Sequence, residues 1–350
     1  MQERRRGHMP RRDIVVIGGS AGAIEPVSEL VRNLPADFPA AIFLVIHFPA
    51  GVTSALPRIL SRAGVLPAHH ARNEEPIHPG HIYVAPPDCH LFVEDGIVRL
   101  TRGPKENGHR PAIDPLFRSA AHHYQSRVIG VLVSGNLNDG TAGLLTIKQR
   151  GGVTIVQSPE SALHTGMPRS AIDHVQVDHI VPVEAMPDLL IRLTSQDAPT
   201  TEVRAMETHD ERGLGLDEVA LSDRKTQPGI PSTMSCPECH GTLWEHREGE
   251  LIGFRCRVGH AYTEEALLSI QAEQLEAALW TALRALEEHS ALSRRLALRA
   301  GKRGHSHSAS AFTEQAMDAE HHASTIRSVL STGIQSRIAA AGALEPTPSP

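Results

Sequence analysis

The stretch that decides the fold is Asp13-Ile14-Val15-Val16-Ile17-Gly18-Gly19-Ser20-Ala21-Gly22, an apolar run that ends in a glycine-rich turn. Continuous β-branched residues predict a strand that is buried on both faces, as in a parallel sheet. The pattern Gly-x-Ser-x-Gly between a strand and a helix is typical of a nucleophile elbow, which lifts a serine hydroxyl out of a sharp turn. Ser20 is therefore a candidate nucleophile, because the backbone N–H groups that follow it favour negative charge.

Outward from this turn, residues 13–194 alternate strand-like and helix-like segments. This order predicts an α/β fold with a doubly wound, mainly parallel sheet. The expected strands are Asp13–Ile17, Ala41–Ile46, His81–Ala85, Val128–Val133, Val153–Gln157 and His179–Val181, with an inserted hairpin of His90–Glu94 and Ile97–Leu100. The expected helices are Ile24–Asn33, Ala55–Ala63, Ile113–Tyr124, Gly140–Arg150 and Pro187–Leu193.

Two further polar residues follow strand-like runs. His47 comes directly after the apolar run AIFLVI, and Asp139 lies in the loop after Val128–Val133. In an open α/β sheet, functional sites lie outside the carboxyl ends of the strands, so Ser20 and His47 are expected at one edge. Asp139 is suited to orient the imidazole of His47 and to stabilise its protonated form. The three residues are predicted to form a catalytic triad.

Other interpretations of these residues stay open. A glycine turn after a first strand also marks dinucleotide-binding domains, although position 20 is a serine here, position 23 is an alanine and an acidic residue for ribose is missing. Asp139 is also suited to cap the helix expected from Gly140. The order Ser, His, Asp excludes the α/β-hydrolase superfamily, in which the aspartate precedes the histidine.

Residues 13–194 resemble the catalytic domain of the CheB family, the chemotaxis protein-glutamate methylesterases. The stretches that carry the resemblance occur in the family's order and are IGGSAGAIEP, FLVIHFPAG, APPDCHL, RPAIDPLFRSAA, VSGNLNDGTAGL, QSPESAL and GMPRSA. The resemblance implies triad roles for Ser20, His47 and Asp139, and a cleft lined partly by Gly135–Asp139 and Thr165–Pro168. It also implies removal of methyl esters from glutamates of chemoreceptor signalling helices, and deamidation of glutamines by the same acyl chemistry.

The chain departs from the family in two places. Asn136-Leu137 stand where the family has Met-Gly. The resemblance implies an oxyanion-hole N–H from this loop, and leucine adopts glycine-only backbone angles at a cost. The family's full-length proteins carry an N-terminal receiver domain, whereas residues 1–12 alone precede the first strand here. We therefore expect regulation without a receiver, and a weak or inactive scaffold of the same fold is the alternative.

The C-terminal part contains three of the four cysteines beside a histidine. Cys236-x-x-Cys239 and Cys256-x-x-x-His260 flank two strand-like segments, which is the layout of a zinc ribbon. Three thiolates and one imidazole make a closed structural site for zinc, without which so small a module is not expected to fold. His240 is a substitute ligand, and three free cysteines are the alternative interpretation. No cofactor is expected for catalysis, and Cys89 is expected to be an ordinary thiol near the cleft.

The sequence predicts six segments. They are a disordered basic tail (1–12), the catalytic domain (13–194), a flexible linker (195–233), a zinc-ribbon-like module (234–262), a helical hairpin (263–334) and a disordered tail (335–350). Thr263 is expected to cap the first helix of the hairpin. An apolar face that includes Leu268, Leu275 and Met317 is expected to pack the two helices or to mediate self-association. The tethered module is expected to target or regulate the enzyme while the catalytic domain keeps its chemistry.

Composition narrows the classes of function. The net charge of −6 argues against general nucleic-acid binding, which needs a basic domain. No apolar run approaches the ~20 residues of a membrane span, and no signal peptide precedes the first strand, so a cytoplasmic protein without membrane insertion is expected. The expected partners are methylated chemoreceptor signalling helices, with a chemotaxis methyltransferase or other signalling proteins as further partners.

Overall fold

The fold is seen in a computed structural model that describes residues 11–48, 54–199, 229–248 and 250–331. The chain divides into two compact units, Met1–Ala266 and Leu267–Pro350. Nearly all of the predicted basic tail, most of the predicted linker and the whole C-terminal tail lie outside the described residues. No helix among those residues is both long and apolar enough to span a bilayer.

A parallel sheet of seven strands forms the centre of the first unit. The strands are β1 (Ile14–Gly19), β2 (Ala41–Ile46), β3 (Ala68–His70), β4 (Ile82–Val84), β7 (Val128–Leu132), β8 (Val153–Gln157) and β9 (His179–Val181), and the antiparallel hairpin consists of β5 (His90–Glu94) and β6 (Ile97–Thr101). The spatial order is β3-β4-β2-β1-β7-β8-β9. Connections therefore leave β1 in opposite directions, which makes a topological switch point at the carboxyl ends of β1 and β7.

Helices cover both faces of this sheet, as the doubly wound prediction requires. They are α1 (Ile24–Arg32), α2 (Leu56–Ala63), α3 (Ile113–Tyr124), α4 (Thr141–Gln149), α5 (Gly166–His174) and α6 (Met186–Thr194). Val15 and Ile17 point into the aliphatic core beneath α1, α2 and α6. Ile14 and Val16 point into the opposite core, which contains α3, α4, α5 and the β5–β6 hairpin. The predicted α/β class is confirmed, and strand residues on both faces are apolar because both faces are covered.

Strand β3 and helix α5 were not predicted. β3 consists of an alanine and two histidines and has no apolar run. α5 contains Pro168 in its first turn, and Arg169, Ser170 and Asp173 are polar, so the sequence shows only a weak helical period of apolar residues. β3 forms by pairing with β4 at the edge of the sheet, and α5 forms by packing against β8. Both elements therefore depend on tertiary contacts.

The predicted ribbon is a four-stranded antiparallel sheet. Its strands, in spatial order, are β10 (Ile230–Ser235), β11 (Thr242–Glu248), β12 (Leu251–Cys256) and β13 (Ala261–Thr263). The sequence indicated only the central hairpin. The first four of the six residues of β10 lie in the segment 195–233 that was predicted as linker, because the sequence IPSTMS is polar and contains a proline.

Two long helices follow, α7 (Glu264–Lys302) and α8 (Ser306–Ser331). Ion pairs of Arg294 with Glu320 and of Arg327 with Glu287 show that the helices are antiparallel. The predicted apolar face is wrong in part: Leu268, Leu275 and Met317 are exposed. The buried side chains of α8 are those of the small residues Ala316, Ala319 and Ala323.

Candidate active site

Ser20 lies directly after β1, in the turn that leads into α1. Its backbone N–H donates to the carbonyl oxygen of Ser134 at 3.0 Å, which ties the turn to the end of β7. A Cβ atom at Gly19 would lie 2.6 Å from the Cβ of Ala23, and one at Gly135 would lie 3.0 Å from the Cβ of Ser20. A side chain at Gly19 would force its neighbours to move and one at Gly135 would crowd Ser20, so these two glycines let the loops after β1 and β7 approach each other at Ser20.

His47 lies beside Ser20 because β1 and β2 are neighbours in the sheet. Gly19 pairs with Ile46, the last residue of β2, and the His47 N–H donates to the Gly19 carbonyl oxygen at 3.2 Å. The Nε2 atom of His47 is 2.8 Å from Oδ2 of Asp139, and both side chains are nearly buried. This bond leaves Nδ1 as the nitrogen that is available to a nucleophile. Within the described ranges, the Ser20 hydroxyl makes no hydrogen bond with the ring.

Asp139 is held by donors from two directions. Its Oδ2 accepts the N–H of Ile113 at 2.7 Å, and its Oδ1 accepts the N–H of Asp114 at 3.3 Å, both at the start of α3. The side-chain amide of Asn107 donates to Oδ1 at 3.0 Å. Burial alone would raise the pKa of Asp139, but the hydrogen bond and charge of His47 and the N–H of Ile113 outweigh it and hold the pKa below its usual range. Asp139 is therefore ionised, as the acid of a triad must be.

Asp114 is a second buried acid that the sequence did not single out. Its Oδ1 accepts the N–H groups of Gly140 and Gly143 at 3.1 and 2.7 Å, so it holds the start of α4. Burial, and next the charge of Asp139, raise the pKa of Asp114 well above its ordinary value. The two acids therefore have opposite tendencies: Asp139 is ionised and Asp114 favours its neutral form.

His109 was also missed. Its ring stacks on that of His47, with 3.7 Å between centroids and 14° between planes. Burial, and next the charge of His47, lower the pKa of His109 to about 4. His109 is therefore neutral near pH 7 and supplies a flat uncharged surface behind His47. The signal in the sequence was its place immediately before the RPAIDPLFRSAA stretch.

The two loops expected to line the cleft are joined to each other. The Met167 N–H donates to the Gly135 carbonyl oxygen at 2.8 Å, and the Gly135 N–H donates to the His164 carbonyl oxygen at 3.1 Å. Leu137 has φ 60, in the left-handed region that favours glycine. A Cβ at Gly166 would lie 3.2 Å from the backbone nitrogen of Leu137. The departure at Asn136-Leu137 therefore places a strained leucine in the loop between Ser20 and Asp139.

The protein-family comparison matches residues 15–190 to the model described as CheB methylesterase. This range contains all three predicted triad residues and half of the chain. The chain belongs to the CheB methylesterase family.

Two relatives and one solved structure each align with about half of the chain. A protein-glutamate methylesterase/protein-glutamine glutaminase of Anaeromyxobacter dehalogenans is 38% identical over 184 residues, which are 53% of this chain and 54% of the relative. One of Pyrococcus abyssi is 34% identical over 188 residues, or 53% and 51%. The CheB methylesterase catalytic domain of Thermotoga maritima aligns with a TM-score of 0.50 at 37% identity, covering 52% of this chain and 98% of that domain. The chain thus spans about half the length of these curated relatives.

Outside the CheB match, the structure brings together the four predicted metal ligands. The ligand atoms of Cys236, Cys239, Cys256 and His260 all lie within 4.8 Å of one another. Nδ1 of His260 is 3.6 and 3.5 Å from the sulfurs of Cys236 and Cys256, and the sulfurs of Cys239 and Cys256 are 3.6 Å apart. Zinc–sulfur bonds of about 2.3 Å in a tetrahedron give edges of about 3.8 Å, so the donor set fits zinc.

The other two candidates from the sequence lie apart from this cluster. His240 is exposed, in a turn with φ 59, and is not one of the four clustered ligands. The His240 N–H donates to the Cys236 carbonyl oxygen at 2.8 Å. His240 therefore stabilises the turn of this knuckle through its backbone. Cys89 is a partly exposed free thiol.

Proposed function

We propose that this CheB-family chain is a serine hydrolase that removes methyl esters from glutamate side chains of chemoreceptor signalling helices. The observation that carries the proposal is the buried His47–Asp139 hydrogen bond beside Ser20. The relatives named as methylesterase and glutaminase support the reaction class. The expected location is the cytoplasm, where such helices are reached without membrane insertion.

The reaction divides into acylation and deacylation. The Ser20 hydroxyl attacks the ester carbonyl carbon while Nδ1 of His47 takes its proton, and the resulting imidazolium is stabilised by ionised Asp139. Collapse of the tetrahedral intermediate breaks the carbon–oxygen bond, and His47 returns the proton so that methanol leaves. Water then attacks the acyl-serine with the same proton transfers and releases the glutamate. A glutamine side chain follows the same course with ammonia as the leaving group.

The deciding experiment measures methanol released from methylated receptor helices by the full chain. Ser20→Ala should abolish release, whereas Ser195→Ala, which changes an exposed serine after α6, should leave it unchanged. A fluorophosphonate probe should label the wild type and not the Ser20→Ala variant. Absence of both labelling and methanol release in a folded wild-type protein would favour the scaffold alternative. Ammonia released from receptor glutamines tests the second activity in the same preparations.

We further propose that Cys236, Cys239, Cys256 and His260 hold one structural zinc ion. The close approach of their donor atoms supports this assignment. A bound ion would hold the two knuckles of a module whose apolar core is small, and so would stabilise its fold. Metal analysis should find about one zinc per chain, from the single four-ligand cluster. Cys256→Ser should lose it and Cys89→Ser should keep it; full retention in Cys256→Ser would contradict the ligand set.

A further inference from the structure

A single loop connects the candidate triad with the C-terminal ribbon. Residues 102–112, here called the bridging loop, run from β6 to α3. On its inner side, the amide nitrogen of Asn107 donates to Asp139 at 3.0 Å and to Asp114 at 3.2 Å. The ring of His109 stacks on that of His47. The bridging loop therefore touches both the acid and the imidazole of the triad.

The ribbon covers the outer side of the bridging loop. The Asn107 N–H donates to the carbonyl oxygen of Ala261 at 2.8 Å, and the Ala261 N–H donates to that of Lys105 at 3.3 Å. Nζ of Lys105 also forms an ion pair with Glu238 at 2.8 Å, in the first cysteine knuckle. β13 thus pairs with the loop that holds the catalytic acid. The ribbon belongs to the same compact unit as the catalytic domain.

Thr263 at the end of β13 and Glu265 at the start of α7 contact two asparagines, one next to Asp139 in space and one next to it in sequence. The Thr263 N–H donates to Oδ1 of Asn107 at 2.9 Å, and the Thr263 hydroxyl donates to Oδ1 of Asn138 at 2.6 Å. The amide of Asn138 donates in turn to the carboxylate of Glu265. Asn107 and Asn138 are only 6% and 2% exposed. Their amides therefore depend on residues 261–265, here called the junction segment, for these hydrogen bonds.

A buried amide that loses its partner is strongly disfavoured, so the two asparagines would turn toward water if the junction segment were removed. Asn138 is the residue directly before Asp139 in the chain, and Asn107 donates a hydrogen bond to the Asp139 carboxylate. Movement of the two asparagines would therefore displace Asp139. Displacing a catalytic group by ~1 Å can lower turnover ~100-fold. We propose that the junction segment positions Asp139 for catalysis, with Asn107, Thr263 and Glu265 as positioning residues. This inference rests on the proposed role of Asp139 in the triad.

Glu264 and Glu265 provide a matched pair for the test. Both are exposed acids in the first turn of α7, where they interact equally with the helix dipole, but Glu265 contacts Asn138. In the full chain, Glu265→Ala should lower kcat on a small methyl ester about tenfold while KM changes less than about twofold, because the loss concerns the reacting geometry. Glu264→Ala should match the wild type.

The Thr263 hydroxyl provides a second, conservative test. Thr263→Val keeps the shape of the side chain and removes the donor to Asn138, whereas Thr263→Ser keeps the hydroxyl. The valine variant should lose about tenfold in kcat and the serine variant should recover most of it. The proton NMR signal of the imidazole N–H that bonds Asp139 should weaken in Thr263→Val and return in Thr263→Ser.

The outcomes separate this inference from the proposed function. If Asp139→Asn keeps full turnover, the triad itself is wrong. If Asp139→Asn is inactive while Glu265→Ala and Glu264→Ala behave alike and the NMR signal is unchanged, the junction segment does not position the acid. Faster turnover in Glu265→Ala and Thr263→Val would also overturn the inference, because it would show that the junction segment restrains the enzyme.

Discussion

The two sides of the candidate active site are held in different ways. Ser20 and His47 are held by backbone hydrogen bonds of adjacent strands, to Ser134 and to Gly19. Asp139 is held by the side-chain amide of Asn107 and by backbone N–H groups at the start of α3, which lie far from it in the chain. Asn107 is held in turn by Thr263 of the junction segment. The nucleophile side therefore follows from the sheet, whereas the acid side depends on how separate segments dock on one another.

This difference has a consequence for mutations. A change at Ser20 or His47 removes an atom of the proposed reaction but should leave the sheet intact, because the backbone makes the supporting contacts. A change on the acid side disturbs a network of buried polar groups, whose members depend on each other for hydrogen bonds. Effects there should spread from catalysis into stability and pH dependence.

The largest effect is expected on the nucleophile side. Ser20→Ala and His47→Ala should each lower kcat on a methyl ester by about 10⁶-fold, and the double variant should lose little more, because the two residues act as one unit. Steady-state kinetics of the three variants give the comparison, with Ser195→Ala as the control. Losses that multiply in the double variant would show that the two residues act independently.

The next largest effect concerns Asp139 itself. Asp139→Asn should keep the fold and lower kcat by about 10⁴-fold, because an amide in place of the carboxylate favours the wrong imidazole tautomer. Asp178→Asn is the matched control, since Asp178 also accepts a buried-strand N–H, from Thr154 at 2.9 Å, but lies in another part of the sheet. A variant with a lower melting temperature but an unchanged kcat would show that Asp139 is a helix cap.

A smaller effect should appear in the pH dependence of stability. The pKa of Asp114 is higher in the folded state than in the unfolded state. The contribution of Asp114 to the free energy of unfolding is therefore fully present below the unfolded pKa and is lost as pH rises through the folded pKa. As pH rises above the ordinary aspartate pKa of about 4, the free energy of unfolding measured in urea should therefore fall more for the wild type than for Asp114→Asn, which cannot ionise. Parallel curves for the two proteins would contradict the raised pKa.

The smallest effect is expected at Leu137. Its left-handed backbone costs ~1–2 kcal/mol, of which glycine would recover all but the ~0.5–1 kcal/mol of its own flexibility. Leu137→Gly should therefore raise the free energy of unfolding by up to about 1.5 kcal/mol. Leu163→Gly, at an exposed leucine that does not have positive φ, should lower it. Loss of stability in both variants would show that Leu137 is held by its side chain.

The sequence predicted the sheet well where residues are apolar. Residues Ala41–Ile46 and Val153–Gln157 form strands with the predicted bounds, because unbroken aliphatic runs suit a sheet covered on both faces. Residues 230–235 and 166–174 were missed, because neither segment has a strong apolar period. These two segments are stabilised by pairing and packing with neighbouring elements, which their own sequences do not show.

The same division applies to the site. The sequence by itself determined where Ser20, His47 and Asp139 lie, because each follows a buried strand and strand ends meet at one edge of a parallel sheet. Only the tertiary structure decided what surrounds Asp139. Asn107 and Thr263 lie far apart in the chain and carry no local pattern, and their partners are buried polar atoms that the fold brings together. Periodicity reports burial along one element, whereas a polar contact between two elements depends on how they dock.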